Sequence, residues 1–186
     1  GKGVRIAVHH QGRTGVVTHT IAKALEAGRI GELQHIHGYG KGYYGGLDLM
    51  NIGTHMINHF LKFGGRCSSV SGTSVTGDHP STPDDVVMSP LGMGTIIGER
   101  LSAVMQLEQG VTATLLCHRY DPRVPPMIEL CGSEGRLMFA HLLYQHLQPC
   151  ALFLPAPYAV PGGPEWEVLE PVLLYGADPA VCDTEE

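Results

Sequence analysis

The chain has 186 residues, 43% of them hydrophobic and 16% charged, with a formal net charge of -6. Those values suit one globular domain with a real core and exclude a disordered chain. The mild acidity and the lack of any Lys/Arg cluster argue against nucleic acid as a partner. No apolar run approaches the roughly 20 residues that span a bilayer, so no membrane partner is expected either.

Residues 5–9 (RIAVH) read as a short strand and residues 10–15 (HQGRTG) as a polar loop. Residues 16–27 (VVTHTIAKALEA) have helical composition, and Gly28 is placed to end that helix. Residues 31–38 (GELQHIHG) alternate Leu33, His35 and His37 against Glu32, Gln34 and Ile36, which reads as a weak strand. The glycine- and tyrosine-rich stretch 38–46 is a loop. Residues 45–65 (GGLDLMNIGTHMINHFLKFGG) read as a helix bounded by glycine pairs. Along it Asp48, Asn51, His55, Asn58 and Lys62 recur at steps of three and four, a narrow polar seam on a helix otherwise wrapped in apolar side chains.

Beyond Gly65 the chain turns to strands. Residues 67–76 (CSSVSGTSVT) are small and β-branched, and residues 78–90 form a breaker-rich loop. Residues 101–107 and 111–118 flank a tight turn at 108–110, and residues 127–131 and 136–140 flank GSEG at 132–135. From Pro149 onward prolines are dense. The fold class is α+β, a largely antiparallel open β-sheet with helices packed on one face. The strands carry apolar residues on both sides of their alternation, so the face away from the helices is expected to need a cover. A second copy supplies one, giving a homodimer or homotetramer through the sheet face.

Three features invite a site and also have plainer explanations. Gly92, Gly94 and Gly98 have the spacing of a dinucleotide-binding turn. A proline loop precedes them and a β-like run follows, so the strand and helix that such a turn needs are missing and no cofactor site is assigned there. His55 and His59 have a chelating spacing, and His35 and His37 share one face of a strand. Eleven histidines make chance pairs expected, no third ligand is evident, and no metal site is assigned. The five cysteines are scattered without a C-x-x-C pair, as in a cytoplasmic protein with reduced thiols. The seam itself reads either as a solvated helix face or as a site. Its residues are Asn, His and Asn rather than Lys and Glu. Gly53 sits mid-helix at a cost of about 1 kcal/mol against Ala, which calls for a reason of packing or access.

Several spaced motifs agree in order with one family. The run Glu26-Ala27-Gly28-Arg29-Ile30-Gly31-Glu32-Leu33 is followed by Gly45-Gly46-Leu47, by Asn51-x-Gly53-x-His55-x-x-Asn58, by Phe63-Gly64, and by IELCGSEGRL at 128–137. Together they resemble the glucose–fructose oxidoreductase / inositol dehydrogenase (Gfo/Idh/MocA) family over Ile6 to Phe139. The resemblance implies a C-terminal substrate-binding and oligomerisation domain at 14–186, incomplete at its C-terminus. Residues 1–13 would be the remnant of the last nucleotide-domain strand and its link.

In the family the nucleotide-binding G-x-G-x-x-G and the E-K-P lysine lie upstream of the matched region. E-K-P does not occur in this chain, and the spacing Gly40-x-Gly42-x-x-Gly45 falls within the glycine- and tyrosine-rich loop. NAD or NADP would therefore belong to the full-length parent, with none bound by this chain alone. The implied activity is an NAD(P)-dependent oxidoreductase acting on a sugar, cyclitol or related hydroxy compound, inactive as an isolated chain. By resemblance His55 is the general acid/base, taking the proton of a substrate hydroxyl as hydride leaves the same carbon. Asn51, at the family's aspartate position, is its positioning partner. Lys41, Tyr43, Tyr44 and Asn58 face the substrate, Asn58 replacing a second family aspartate. The alternative, from another class, is a non-catalytic binding or assembly module that dimerises through its sheet, with the seam as polar packing.

Overall fold

Half-buried alternation in the second half of the chain and two amphipathic helices in the first produce a sheet covered on one face. The computed structural model describes residues 3–5, 8–42, 44–118, 127–140, 151–155 and 166–172. The elements are α1 (Val16–Glu26), β1 (Leu33–Tyr39), α2 (Gly45–Asp48), a π-helical turn (Leu49–Gly53), α3 (Thr54–Gly64), β2 (Cys67–Thr76) and β3 (His79–Pro80). There follow β4 (Val87–Met88), β5 (Thr95–Ile96), β6 (Arg100–Leu107), β7 (Thr112–His118), β8 (Met127–Gly132), β9 (Gly135–Ala140), β10 (Leu152–Pro155) and β11 (Glu167–Val168).

Nine strands form one sheet in the order β11-β10-β9-β8-β1-β7-β6-β2-β3, and β4 and β5 make a separate ribbon. Among the described residues β1 and β7 are parallel and the other pairs antiparallel. The stretch that looked like a weak strand is thus central. β1 takes ladder hydrogen bonds on both edges, from β8 and β7, which offsets its poor intrinsic strand composition.

The core lies between one face of the sheet and the helices. Ile36, Ala113, Leu115, Ile128, Leu130 and Leu137 pack with Val17 and Ile21 of α1 and with Met56 and Phe60 of α3. Phe60 is fully buried. A Cβ built on Gly38 would stand 2.5 Å from its ring, so a strand position without a side chain lets the ring lie against β1. Gly53 has a packing reason of the same kind. A Cβ there would meet Leu49 Cδ1 at 3.2 Å and Cys117 Sγ at 3.4 Å, so the bare backbone serves contact with β7 rather than access for a ligand.

Other expectations are corrected. Arg5, Val8 and His9 lie outside any strand, and Ile6 and Ala7 lie outside the described residues. The loop at 10–15 contains a 3-10 turn, Gln11–Arg13. The sheet face away from the helices mixes polar and apolar side chains, Val104 among the latter. The register places His37 beside Thr114 and Glu129, and His35 beside Thr112 and Cys131, with Val104 half exposed one strand further on. No helix among the described residues is long and apolar enough to cross a membrane.

Gly38→Ala should force Phe60 or β1 to shift and destabilise the fold by about 1–3 kcal/mol, the usual cost of overpacking. Thermal unfolding should then fall by about 2–4 °C per kcal/mol for a chain of this size. A melting temperature unchanged from wild type would refute the close approach.

Candidate functional site

Residues 45–64 form one run of helix, and its middle turn is wider than the rest. A π turn holds more residues than an α turn, so it breaks the register assumed for the seam. Asp48 leaves the seam as a result. It is fully buried, and its carboxylate accepts the backbone N–H of Lys41 at 2.9 Å and of Gly42 at 3.2 Å. Burial raises its pKa above the usual carboxylate value, against the lowering effect of those two N–H groups and of the Lys41 and His118 charges. Asp48 therefore ties the loop after β1 to the start of the helix. That loop carries Lys41 and Tyr44, the latter at the N-cap of α2, while Tyr43 lies outside the described residues.

Of the remaining seam residues, His55, Asn58 and Lys62 face the N-terminal segment. Arg13 Nη1 donates to the Asn58 carbonyl at 3.0 Å and to Asn58 Oδ1 at 2.8 Å. Lys62 Nζ donates to the Arg13 carbonyl at 2.7 Å. The Thr18 hydroxyl donates to the Gly12 carbonyl and fastens the same turn to α1. Arginine can only donate, so Oδ1 is the amide oxygen and Nδ2 is the atom 2.9 Å from His10 Nδ1. Nδ1 of His10 must accept there, which puts the ring proton on Nε2.

His10 stands edge-on to His55, with ring centroids 4.9 Å apart and planes at 82°. The His55 pKa is lowered, first by burial and then by His10 and His9. A neutral imidazole that is half-buried and oriented by a neighbour can accept a proton from a hydroxyl. Asn51, one turn earlier and inside the π turn, is engaged through its carbonyl, which accepts from Thr54 Oγ1 at 2.7 Å. The structure thus groups His55 and Asn58, leaves Lys41 and Tyr44 on the strapped loop, and adds His10, Arg13 and Asp48.

His59 is core rather than site. It is 3% exposed and packs edge-on to Phe139 at 5.5 Å between centroids. The Gly92–Gly98 run belongs to the β4–β5 ribbon, where Gly92, Gly94 and Gly98 take positive φ as turn residues. No helix follows it to meet a pyrophosphate, so these residues do not fit a dinucleotide.

The sequence profile of the GFO/IDH/MocA C-terminal domain matches residues 18–138. No curated relative matches the chain significantly. An oxidoreductase from Pseudomonas syringae aligns at 12% identity and a TM-score of 0.62, covering 88% of this chain and 41% of its own. Levoglucosan dehydrogenase in complex with NADH and L-sorbose aligns at 17% identity and a TM-score of 0.60, covering 94% of this chain and 52% of its own. An oxidoreductase from Agrobacterium radiobacter, in complex with NAD+, L-tartaric acid and magnesium, aligns at 15% identity and a TM-score of 0.54, covering 92% and 48%. These likenesses establish the fold, and the chain spans about half the length of the structures it matches.

The lowered His55 pKa has a definite sign in stability. Its folded value lies below its unfolded one, so His55 contributes stability above the ordinary value near 6.5, and that contribution is lost as pH falls through the folded value. His35, lowered by burial and by His37, acts in the same direction. Proton NMR of the His55 ring should give a midpoint below 6.5, and His10→Gln should raise it by removing the adjacent imidazole. Denaturant stability should fall between about pH 7 and pH 5, less steeply in His55→Gln. A His55 midpoint at or above the ordinary value would refute the assignment.

Proposed function

The chain belongs to the GFO/IDH/MocA C-terminal domain family, and from that premise we propose that it is the substrate and oligomerisation domain of an NAD(P)-dependent oxidoreductase acting on a sugar, cyclitol or related hydroxy compound. The carrying observation is the half-buried imidazole of His55 on the helical seam, held edge-on to His10, with burial lowering its pKa. His55 accepts the substrate hydroxyl proton, and Asn51 positions it from the preceding turn. Lys41 and Tyr44 reach the substrate from the loop strapped by Asp48, Asn58 joins them from the seam, and Tyr43, next to Tyr44 in sequence, is proposed to contact the same substrate.

The nicotinamide cofactor, when bound, supplies the hydride chemistry. It would be held by a nucleotide-binding domain, since this chain's own glycine run does not fit it. Assembly uses the sheet face opposite the helices, as a homodimer or homotetramer. The free thiols Cys67, Cys117 and Cys131 suit a reducing, cytoplasmic setting, and burial pushes the Cys117 thiol up to about 12.

The decisive experiment uses a polypeptide in which this chain follows a nucleotide-binding domain and turns over a polyol. His55→Ala should lower kcat by about a hundred- to ten-thousand-fold, the contribution of a positioned general base, with KM changing less. Asn51→Asp should move the acid limb of the pH–rate profile upward, because a carboxylate stabilises the imidazolium. A kcat within about threefold of wild type in His55→Ala, far short of that contribution, would replace this reading with the non-catalytic assembly module.

The chain alone should bind neither NADH nor NADPH. Calorimetric titration giving a dissociation constant in the micromolar range, about -8 kcal/mol, would overturn this expectation.

A further inference from the structure

Two strands bring metal-binding side chains together on the sheet face opposite the helices, away from the seam. In the β1–β8 pair, His35 lies opposite Cys131 and His37 opposite Glu129. Alternate residues of a strand share a face, and directly paired residues have Cβ atoms about 4.5–5.5 Å apart. The four side chains therefore form a two-by-two block. The ligand atoms of His37, Glu129 and Cys131 all lie within 4.8 Å of one another, and the His35 ring centroid is 4.2 Å from that of His37.

We propose that His37, Glu129 and Cys131 bind a divalent transition-metal cation of the zinc class, with water in the fourth position. The donor set selects the metal. Imidazole, thiolate and carboxylate are the ligands of zinc, whereas calcium and magnesium take oxygen alone. With metal–ligand lengths of about 2.0–2.3 Å, tetrahedral ligand atoms stand roughly 3.3–3.8 Å apart. The three ligands thus need to close by about 1 Å, within the reach of small side-chain rotations.

The surroundings resemble the outer shell of a metal site. His37 Nδ1 lies 2.6 Å from Thr114 Oγ1, and with Nδ1–H donating to that hydroxyl the lone pair falls on Nε2. Arg136 Nη1 donates to Glu129 Oε1 at 2.8 Å, which orients the carboxylate and leaves its second oxygen for a ligand. Glu129 is only 8% exposed, so water does little to balance its charge. Arg136 already pairs the Glu129 charge, and a bound dication would favour loss of the Cys131 thiol proton on coordination. The site is independent of the seam and its proposed chemistry, and it lies on the sheet face proposed for assembly.

The test is titration of the reduced full chain with cobalt chloride, followed by absorbance, with zinc chloride added as competitor. One equivalent of cobalt should produce a thiolate-to-cobalt charge-transfer band in the near ultraviolet, and zinc should abolish it. Cys67→Ser should keep the band and Cys131→Ser should lose it. His37→Gln should weaken cobalt affinity by about tenfold or more. Absence of a stoichiometric band in the wild type, or its persistence in Cys131→Ser, would overturn the proposal. If circular dichroism shows that Cys131→Ser does not fold, His37→Gln decides, and an affinity within about threefold of wild type, well short of that loss, overturns it.

Discussion

The close approach of the helical run 45–64 to the sheet is the constraint on which the other features depend. At its start, the backbone N–H groups of Gly45 and Gly46 donate to the carbonyls of Glu99 and Gly98, each at 2.9 Å. Two donors that a helix N-terminus would otherwise leave unpaired are thereby satisfied by the chain leading into β6. Further along, Gly53 rests on Cys117 and Phe60 occupies the space above Gly38. Larger side chains at these points would lift the helix. With it held down, the π turn fits between two fixed ends, and the residues after it present His55, Asn58 and Lys62 to the N-terminal segment.

The electrostatics of the seam follow from that placement. Asn58 sits between a guanidinium that must donate and an imidazole nitrogen that accepts, and the amide serves both without charge. A carboxylate in its place would draw a proton onto His10 and set a cation beside His55. The neutral residue keeps two adjacent imidazoles compatible. Asp48 shows the opposite balance, with burial outweighing two backbone donors. Its role is mechanical, since it fixes the entry of the helix and the loop that carries Lys41 and Tyr44.

The sequence made the strand and helix inventory legible because binary patterns report burial directly. β2 matches its expected bounds, and the two hairpins fall where the turn residues place them. The centrality of β1 was hidden, because pairing partners 77 residues away leave no mark on local composition. The seam was legible as a stripe, but the π turn was not, and Asp48 was therefore assigned to the wrong face. His10 and Arg13 were missed as site neighbours for the same physical reason as the β1 pairing. Their contacts with Asn58 cross 45 residues or more of chain, and only the folded backbone brings them together.

The parallel pairing of β1 with β7 also constrains the order of events in folding. β1 is made before both of its neighbours in the sheet, which follow it by many residues, 77 in the case of His37 and Thr114. As the chain emerges, α1 and the helical run can coil locally, but their apolar faces have no sheet to cover until β7 and β8 exist. Closing such long loops before any contact compensates for them makes for slow folding. During that interval the unpaired edges of β1 and the bare helix faces are the surfaces most prone to association with other chains. Shielding of α1, β1 and the helical run until β7 and β8 are made would therefore favour correct folding over association.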